Sequence, residues 1–188
     1  DTPCLILDKP ILEKNCFKAR KKCLELSTIL RPHIKTPKSI EIAKIALDDQ
    51  IGPITVSTLN EAEYFAGAGF KDILYAVCII PKKLKRLNFI QQKYNCIIRI
   101  VIDSTYVAQE ILKYSKLHNA NFEILLEIDC GEGRSGLDYQ DEMIGEISRV
   151  FEPNHKTKLL GVLTHAGHSY STKDKNEIIS ISNIEREE

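Results

Sequence analysis

The feature that most constrains this chain is its rhythm. Six short β-rich runs alternate with longer amphipathic stretches: RPHIK (31–35), PITVS (53–57), DILYAV (72–77), CIIRIVID (96–103), FEILLEID (122–129) and LLGVLTH (159–165). Helical spacing of apolar residues covers 11–28, 39–50, 59–68, 81–94, 104–119, 138–151 and 172–187. Strand, helix, strand at this interval predicts βαβ units and a parallel sheet. Ser39 and Asn60 suit helix N-caps, and Gly52-Pro53 and Gly67-Ala68-Gly69 suit helix ends. No Gly-, Ser- or Pro-rich linker interrupts the pattern, so residues 1–188 read as one α/β domain. PCLILDK, within 1–10, reads as a short apolar strand that need not join the main sheet.

Facing narrows the architecture. Side chains alternate along a strand. In CIIRIVID, Ile98, Ile100 and Ile102 share one face, while Ile97, Arg99, Val101 and Asp103 lie on the other. In FEILLEID, Ile124, Leu126 and Ile128 oppose Glu123, Leu125, Glu127 and Asp129. In RPHIK, Pro32 and Ile34 oppose Arg31, His33 and Lys35. An open doubly wound sheet is covered by helices on both faces and wants both apolar. A (β/α)8 barrel is covered outside and turns polar inside at its C-terminal mouth. The alternation favours the barrel. Six runs are fewer than eight, so the expected fold is an α/β (β/α)8 barrel, incomplete in this chain.

Composition excludes some functions. Lys plus Arg is 26 and Asp plus Glu is 26, which leaves no basic excess for a nucleic-acid backbone. No apolar run reaches the roughly 20 residues of a membrane-spanning helix, and the first residues show no signal-peptide pattern, so a cytoplasmic location is expected. The six cysteines, at 4, 16, 23, 78, 96 and 130, form no C-x-x-C pair. They read as buried small hydrophobes in a reducing compartment.

Turned inward, the charged faces bring together Arg31, His33, Lys35, Glu127, Asp129 and His165. Charges in a poorly solvated interior must pair with each other or with a charged ligand; a ligand-free network at the mouth is the competing reading. Lys35 is the candidate nucleophile, because a lysine at an enclosed strand end can form a Schiff base. Burial and the neighbouring cation Arg31 would lower its pKa, and Glu127 and Asp129 would oppose them. The loop DCGEGRSG (129–136) has three glycines that allow close backbone approach, and Arg134 offers fixed donors to an anion. Its spacing differs from the dinucleotide fingerprint G-x-G-x-x-G. THAGHSY (164–170) supplies His165, His168, Ser169 and Tyr170. Two histidines three apart, without a third ligand in register, make a poor metal centre.

TPCLILDKPILEKN, LRPHIKTPKS, ITVSTLNEAEYFA, DILYA, EIDCGEGRSG and LLGVLTHAGHSY resemble, in order and spacing, the N-terminal part of the D-threonine aldolase and eukaryotic-type D-serine dehydratase family. The resemblance covers nearly the whole chain. It implies an incomplete barrel of the alanine racemase N-terminal domain kind and pyridoxal 5'-phosphate as cofactor. It implies that Lys35 carries the cofactor as a Schiff base, that Arg134 bonds its phenolic oxygen, that His165 lies against its ring and that Tyr170 stands near the ring nitrogen. The implied activity is a lyase acting on β-hydroxy-D-amino acids. This is either retro-aldol cleavage to glycine and an aldehyde, the preferred reaction, or dehydration to a keto acid and ammonia. A homodimer is implied, with a small D-amino acid as the other partner and neither nucleic acid nor membrane.

Two departures stand out. Pro37 occupies a position where the family commonly has His, which removes an imidazole near Lys35. The family also continues into a C-terminal β-domain, which would pair with the strand at 1–10 and supply the ligands of a divalent metal of Mn or Zn type. No metal ligand is therefore expected in this chain. The alternative is a non-catalytic, single-domain pyridoxal-phosphate-binding protein of the homeostasis type, or an inactive truncated product.

Overall fold

The computed structural model describes residues 2–4, 6–152 and 156–187. In chain order its elements are α1 (Lys9–Glu25), α2 (Ile40–Ala46), β1 (Ile54–Val56), α3 (Leu59–Gly67), β2 (Asp72–Cys78), α4 (Leu84–Tyr94), β3 (Ile97–Ile102), α5 (Thr105–His118), β4 (Phe122–Ile128), α6 (Met143–Phe151), β5 (Thr157–Thr164) and α7 (Lys175–Glu187). A single 3₁₀ turn precedes α4 (Pro81–Lys83), and another follows β5 (Gly167–Ser171). The expected α/β alternation is present, with five strands rather than six among the described residues.

The missing strand is RPHIK. Its pairing is reduced to one parallel bridge, His33 to Thr55, closed by the Ile34 amide donating to Thr55 O and the Thr55 amide donating to Pro32 O. Pro32 has no amide hydrogen to extend a ladder. The backbone then turns, with the Lys38 amide donating to Ile34 O. Strict in-out alternation therefore stops at Ile34, which is buried while Lys35 is exposed.

At the start of the chain, the described residues among 2–8 form no strand, and Asp1 and Leu5 lie outside the described residues. Lys9 and Pro10 belong to α1, because the Asp8 carboxylate accepts the Ile11 amide and Pro10 stands in the first turn. At α3 the cap is Thr58, not Asn60: the Thr58 hydroxyl accepts the Glu61 amide, while the Glu61 carboxylate accepts the Ser57 amide. Ser39 caps α2 as expected.

The chain divides into two compact units, residues 1–75 with 90–97, and residues 76–89 with 98–188. In the first, β1 pairs with the start of β2 in parallel, Ile54 opposite Ile73 and Val56 opposite Tyr75. All four are fully buried, against Phe65 and Phe70, whose rings meet edge to face at 5.4 Å. In the second, β3, β4 and β5 pair in parallel, with Ile100 opposite Ile124 and Leu126 opposite Val162. The apolar faces expected from the alternation are buried, Ile98, Ile100, Ile102, Ile124, Leu126 and Ile128, but Val101 and Glu127 on the opposite faces are buried as well. Ala108 and Ile111 of α5 and Ile147 and Phe151 of α6 are also buried, and α6 lies against α5 and β5. A bulge leaves Leu160 out of the β4–β5 register.

Candidate functional site

The turn after Ile34 presents two lysines, and the structure separates them. Lys38 Nζ pairs with Glu61 Oε1 at 3.2 Å, and Glu61 is buried at the N-terminus of α3. Glu61 thus ties the turn to α3 through Lys38 while its other oxygen holds the Ser57 amide at 2.8 Å. Lys35 has no such tie: its ammonium group makes no hydrogen bond or ion pair among the described residues. His33 sits between. Its Nδ1 accepts the Lys35 amide at 3.3 Å, which leaves the proton on Nε2 to be donated to Ser57 Oγ at 3.2 Å.

Arg31 departs from the expectation. Rather than neighbouring Lys35, it forks onto Asp72 at 2.7 and 3.0 Å and reaches Ile54 O at 3.3 Å. Asp72 and Ile54 open β2 and β1, so Arg31 closes the N-terminal ends of the strands. A guanidinium fork matches a carboxylate too well to be left for a distant amine. Lys35 is also exposed rather than enclosed.

In the second unit, the acidic face of β4 is satisfied locally. Glu127 is buried; it accepts Ser135 Oγ at 2.9 Å and the Cys78 thiol at 3.0 Å. Asp129 accepts the amides of Gly131 at 3.1 Å and Gly133 at 3.0 Å, folding the glycine-rich loop back on its strand. Gly136 anchors the far end of the loop, where the Leu137 amide donates to Glu127 O and the Asp129 amide donates to Leu137 O. Ligand atoms of Cys78, Asp103 and Glu127, at the C-terminal ends of three strands, lie within 4.8 Å of one another. Burial, then the Glu127 carboxylate, push the Cys78 thiol far above its ordinary range, so it stays protonated as the donor of this group. The histidines at 165 and 168 are not part of such a cluster among the described residues.

The loop after β5 carries the remaining predicted groups. Thr164 faces α7, donating to Glu185 at 2.6 Å, so the alternation turns His165 the other way. His165 Nδ1 lies 2.7 Å from Glu132 Oε2. Arg134 is more than half exposed, its guanidinium 3.9 Å from the second Glu132 oxygen. The hydrogen bond from His165, with the charges of His165 and Arg134, holds Glu132 below the usual carboxylate range. Tyr170 meets His165 edge to face at 6.0 Å and is otherwise exposed. His168 Nδ1 is buried without a hydrogen-bond partner among the described residues. Arg134, His165 and Tyr170 therefore gather in the second unit, and Glu132 joins two of them. Glu132 was invisible to strand alternation because it lies in a loop; its only signal was a carboxylate between two glycines.

The cysteines correct another expectation. All six are free, but only Cys96 and Cys130 are buried, and Cys4 is exposed. No helix among the described residues is long and apolar enough to cross a membrane.

These features define an α/β protein with parallel strands, an uncommitted lysine in a turn beside the first strand, and an Arg-Glu-His group in the loops after the last two. Comparison with known proteins assigns it further. The model of the alanine racemase N-terminal domain matches residues 7–185, and the chain belongs to that family. It is 34% identical over 99% of its length to D-threo-3-hydroxyaspartate dehydratase of Delftia sp., spanning 49% of that protein. The solved structure of the Delftia enzyme superposes with a TM-score of 0.92. It is 28% identical to D-serine dehydratase of Dictyostelium discoideum, over 97% of this chain and 49% of the relative. D-threonine aldolase of Arthrobacter sp. is 29% identical over 73% of this chain and 36% of the relative. The chain thus spans about half the length of the curated relatives it matches.

Proposed function

We propose that this chain is the cofactor-binding part, residues 1–188, of a pyridoxal-phosphate-dependent lyase acting on β-hydroxy-D-amino acids. The observation that carries the reading is the uncommitted Lys35 amine on a chain whose relatives are named hydroxyaspartate dehydratase, D-serine dehydratase and D-threonine aldolase. The donor set fits such a group. A primary amine without a partner suits an aldehyde, an exposed guanidinium suits a phenolate, and an imidazole with one ring nitrogen engaged can lie against a pyridine ring.

Bound there, pyridoxal phosphate would supply an electron sink for the pair left at Cα when a Cα–Cβ bond or a Cα–H bond breaks. Lys35 would hold it covalently through Nζ. Arg134 would donate to its phenolic oxygen, and His165 and Tyr170 would hold its ring. His33 orients the turn by accepting the Lys35 amide, and Glu61, through Lys38, keeps the competing lysine of that turn engaged. Retro-aldol cleavage and dehydration share these requirements, and both are carried forward. The reading includes a homodimer in the cytoplasm and a divalent metal of Mn or Zn type held outside this chain.

The test is chemical. Protein incubated with pyridoxal phosphate, reduced with borohydride and digested should yield a pyridoxyl adduct on the peptide carrying Lys35. An adduct distributed over other lysines, or none in folded protein, overturns the assignment. Assays of the full-length protein with D-threonine, D-serine and 3-hydroxy-D-aspartate, with and without divalent metal, then separate aldolase from dehydratase. Lys35→Ala should abolish turnover while leaving the circular dichroism spectrum unchanged.

A further inference from the structure

We propose that Glu132 is a positioning residue that fixes the protonation pattern of His165, keeping the proton on Nδ1 and leaving Nε2, its one uncommitted nitrogen, as a bare lone pair. The role toward the cofactor rests on the function proposed above; the state of the imidazole does not.

Three observations carry it. His165 Nδ1 lies 2.7 Å from Glu132 Oε2, a short contact in which the nitrogen must donate, because an ionised carboxylate only accepts. Glu132 is held in its ionised form by His165 first and by Arg134 second. Nε2 of His165 has no partner among the described residues. The proton a neutral imidazole keeps is decided by the bond its other nitrogen makes. A carboxylate on Nδ1 therefore gives a ring protonated at Nδ1 with a lone pair on Nε2, the opposite of the tautomer a free histidine prefers in water.

The backbone makes room for this pair. A Cβ at Gly167 would stand 2.3 Å from Glu132 Oε1 and 2.5 Å from His165 Cε1. Glycine at 167 is thus what permits the carboxylate and the imidazole to meet. Arg134, two residues on in the same glycine-rich loop, lies 3.9 Å from the same carboxylate. One carboxylate thereby meets both an imidazole and a guanidinium.

The imidazole state is read by two-dimensional nitrogen-proton NMR of the histidine rings in cofactor-free protein, with the His165 signals assigned by their loss in His165→Gln. Above the imidazole pKa the wild-type protein should show His165 protonated at Nδ1. Glu132→Ala should switch it to the Nε2-protonated form. Glu132→Gln keeps a carbonyl acceptor in place, so it should retain the Nδ1 form while losing the charge. Gly167→Ala should behave as Glu132→Ala does, by displacing the carboxylate. A wild-type ring protonated at Nε2 overturns the proposal without any variant, as does an Nδ1-protonated ring in folded Glu132→Ala. The experiment uses neither cofactor nor turnover, so it stands apart from a failure to find the Lys35 adduct.

Discussion

Substituting alanine for Gly136 tests how the glycine-rich loop is held. Gly136 has φ +99, and a Cβ there would lie 2.7 Å from the Asp129 amide nitrogen and 2.8 Å from the Ile128 carbonyl carbon. Both atoms are backbone, so neither can swing aside. Left-handed backbone costs an L-residue about 1–2 kcal/mol. Overpacking against a fixed neighbour costs about 1–3 kcal/mol more. Gly136→Ala should therefore lose about 2–5 kcal/mol. Gly133 supplies the control. Its φ is +69, but nothing lies within 4 Å of a Cβ built on it. Gly133→Ala should lose only the conformational part, about 1–2 kcal/mol. Urea unfolding followed by circular dichroism reads the difference. With a slope of about 2 kcal/mol per molar urea, Gly136→Ala should move the midpoint down by roughly 1–2.5 M, and Gly133→Ala by less than about 1 M. Equal shifts for the two variants would refute the argument that close backbone approach, rather than φ, demands glycine at 136.

Two further outcomes follow from the titrating groups. Burial raises the Cys96 and Cys130 thiols, and burial with the Glu127 carboxylate raises Cys78 further, so all three remain thiols at about pH 8. Limited iodoacetamide treatment with mass mapping should label exposed Cys4 well before them, and early labelling of Cys78 would contradict its place as donor to Glu127. Glu132, which faces His165 and Arg134, has its folded pKa depressed from an ordinary 4.5. The stabilisation from its ionised form is complete above that value and is lost as pH falls through the lower, folded one. The stability of wild type relative to Glu132→Gln should shrink on acidification below the ordinary value; a difference that grows on that acidification would invert the sign argued here.

Much of the fold was legible because burial enforces periodicity. Ile98, Ile100 and Ile102 on β3 and Ile124, Leu126 and Ile128 on β4 announced their faces two residues at a time, and those residues are buried. Helix limits were legible where a side chain satisfies an orphan amide, as at Ser39, and were misplaced where several candidates stood together, as at Thr58 and Asn60. RPHIK was misread because its residues suit a strand one by one, whereas Pro32 withholds the amide a ladder needs and the backbone turns after Ile34.

The sequence by itself determined the class, because strand and helix periods are local and the apolar faces repeat along them. It also put Lys35, Arg134, His165 and Tyr170 forward as candidates, since they stand in motifs that can be read in order. Only tertiary structure decided how charges are shared. Arg31 could have served Lys35 but is taken by Asp72; Glu127 could have opposed a lysine but is occupied by Ser135 and Cys78. His165 acquired Glu132, thirty-three residues away, through a gap that only a missing Cβ at Gly167 leaves open. Pairing energies depend on distances of a few ångströms between groups far apart in the chain, and no one-dimensional pattern encodes those distances.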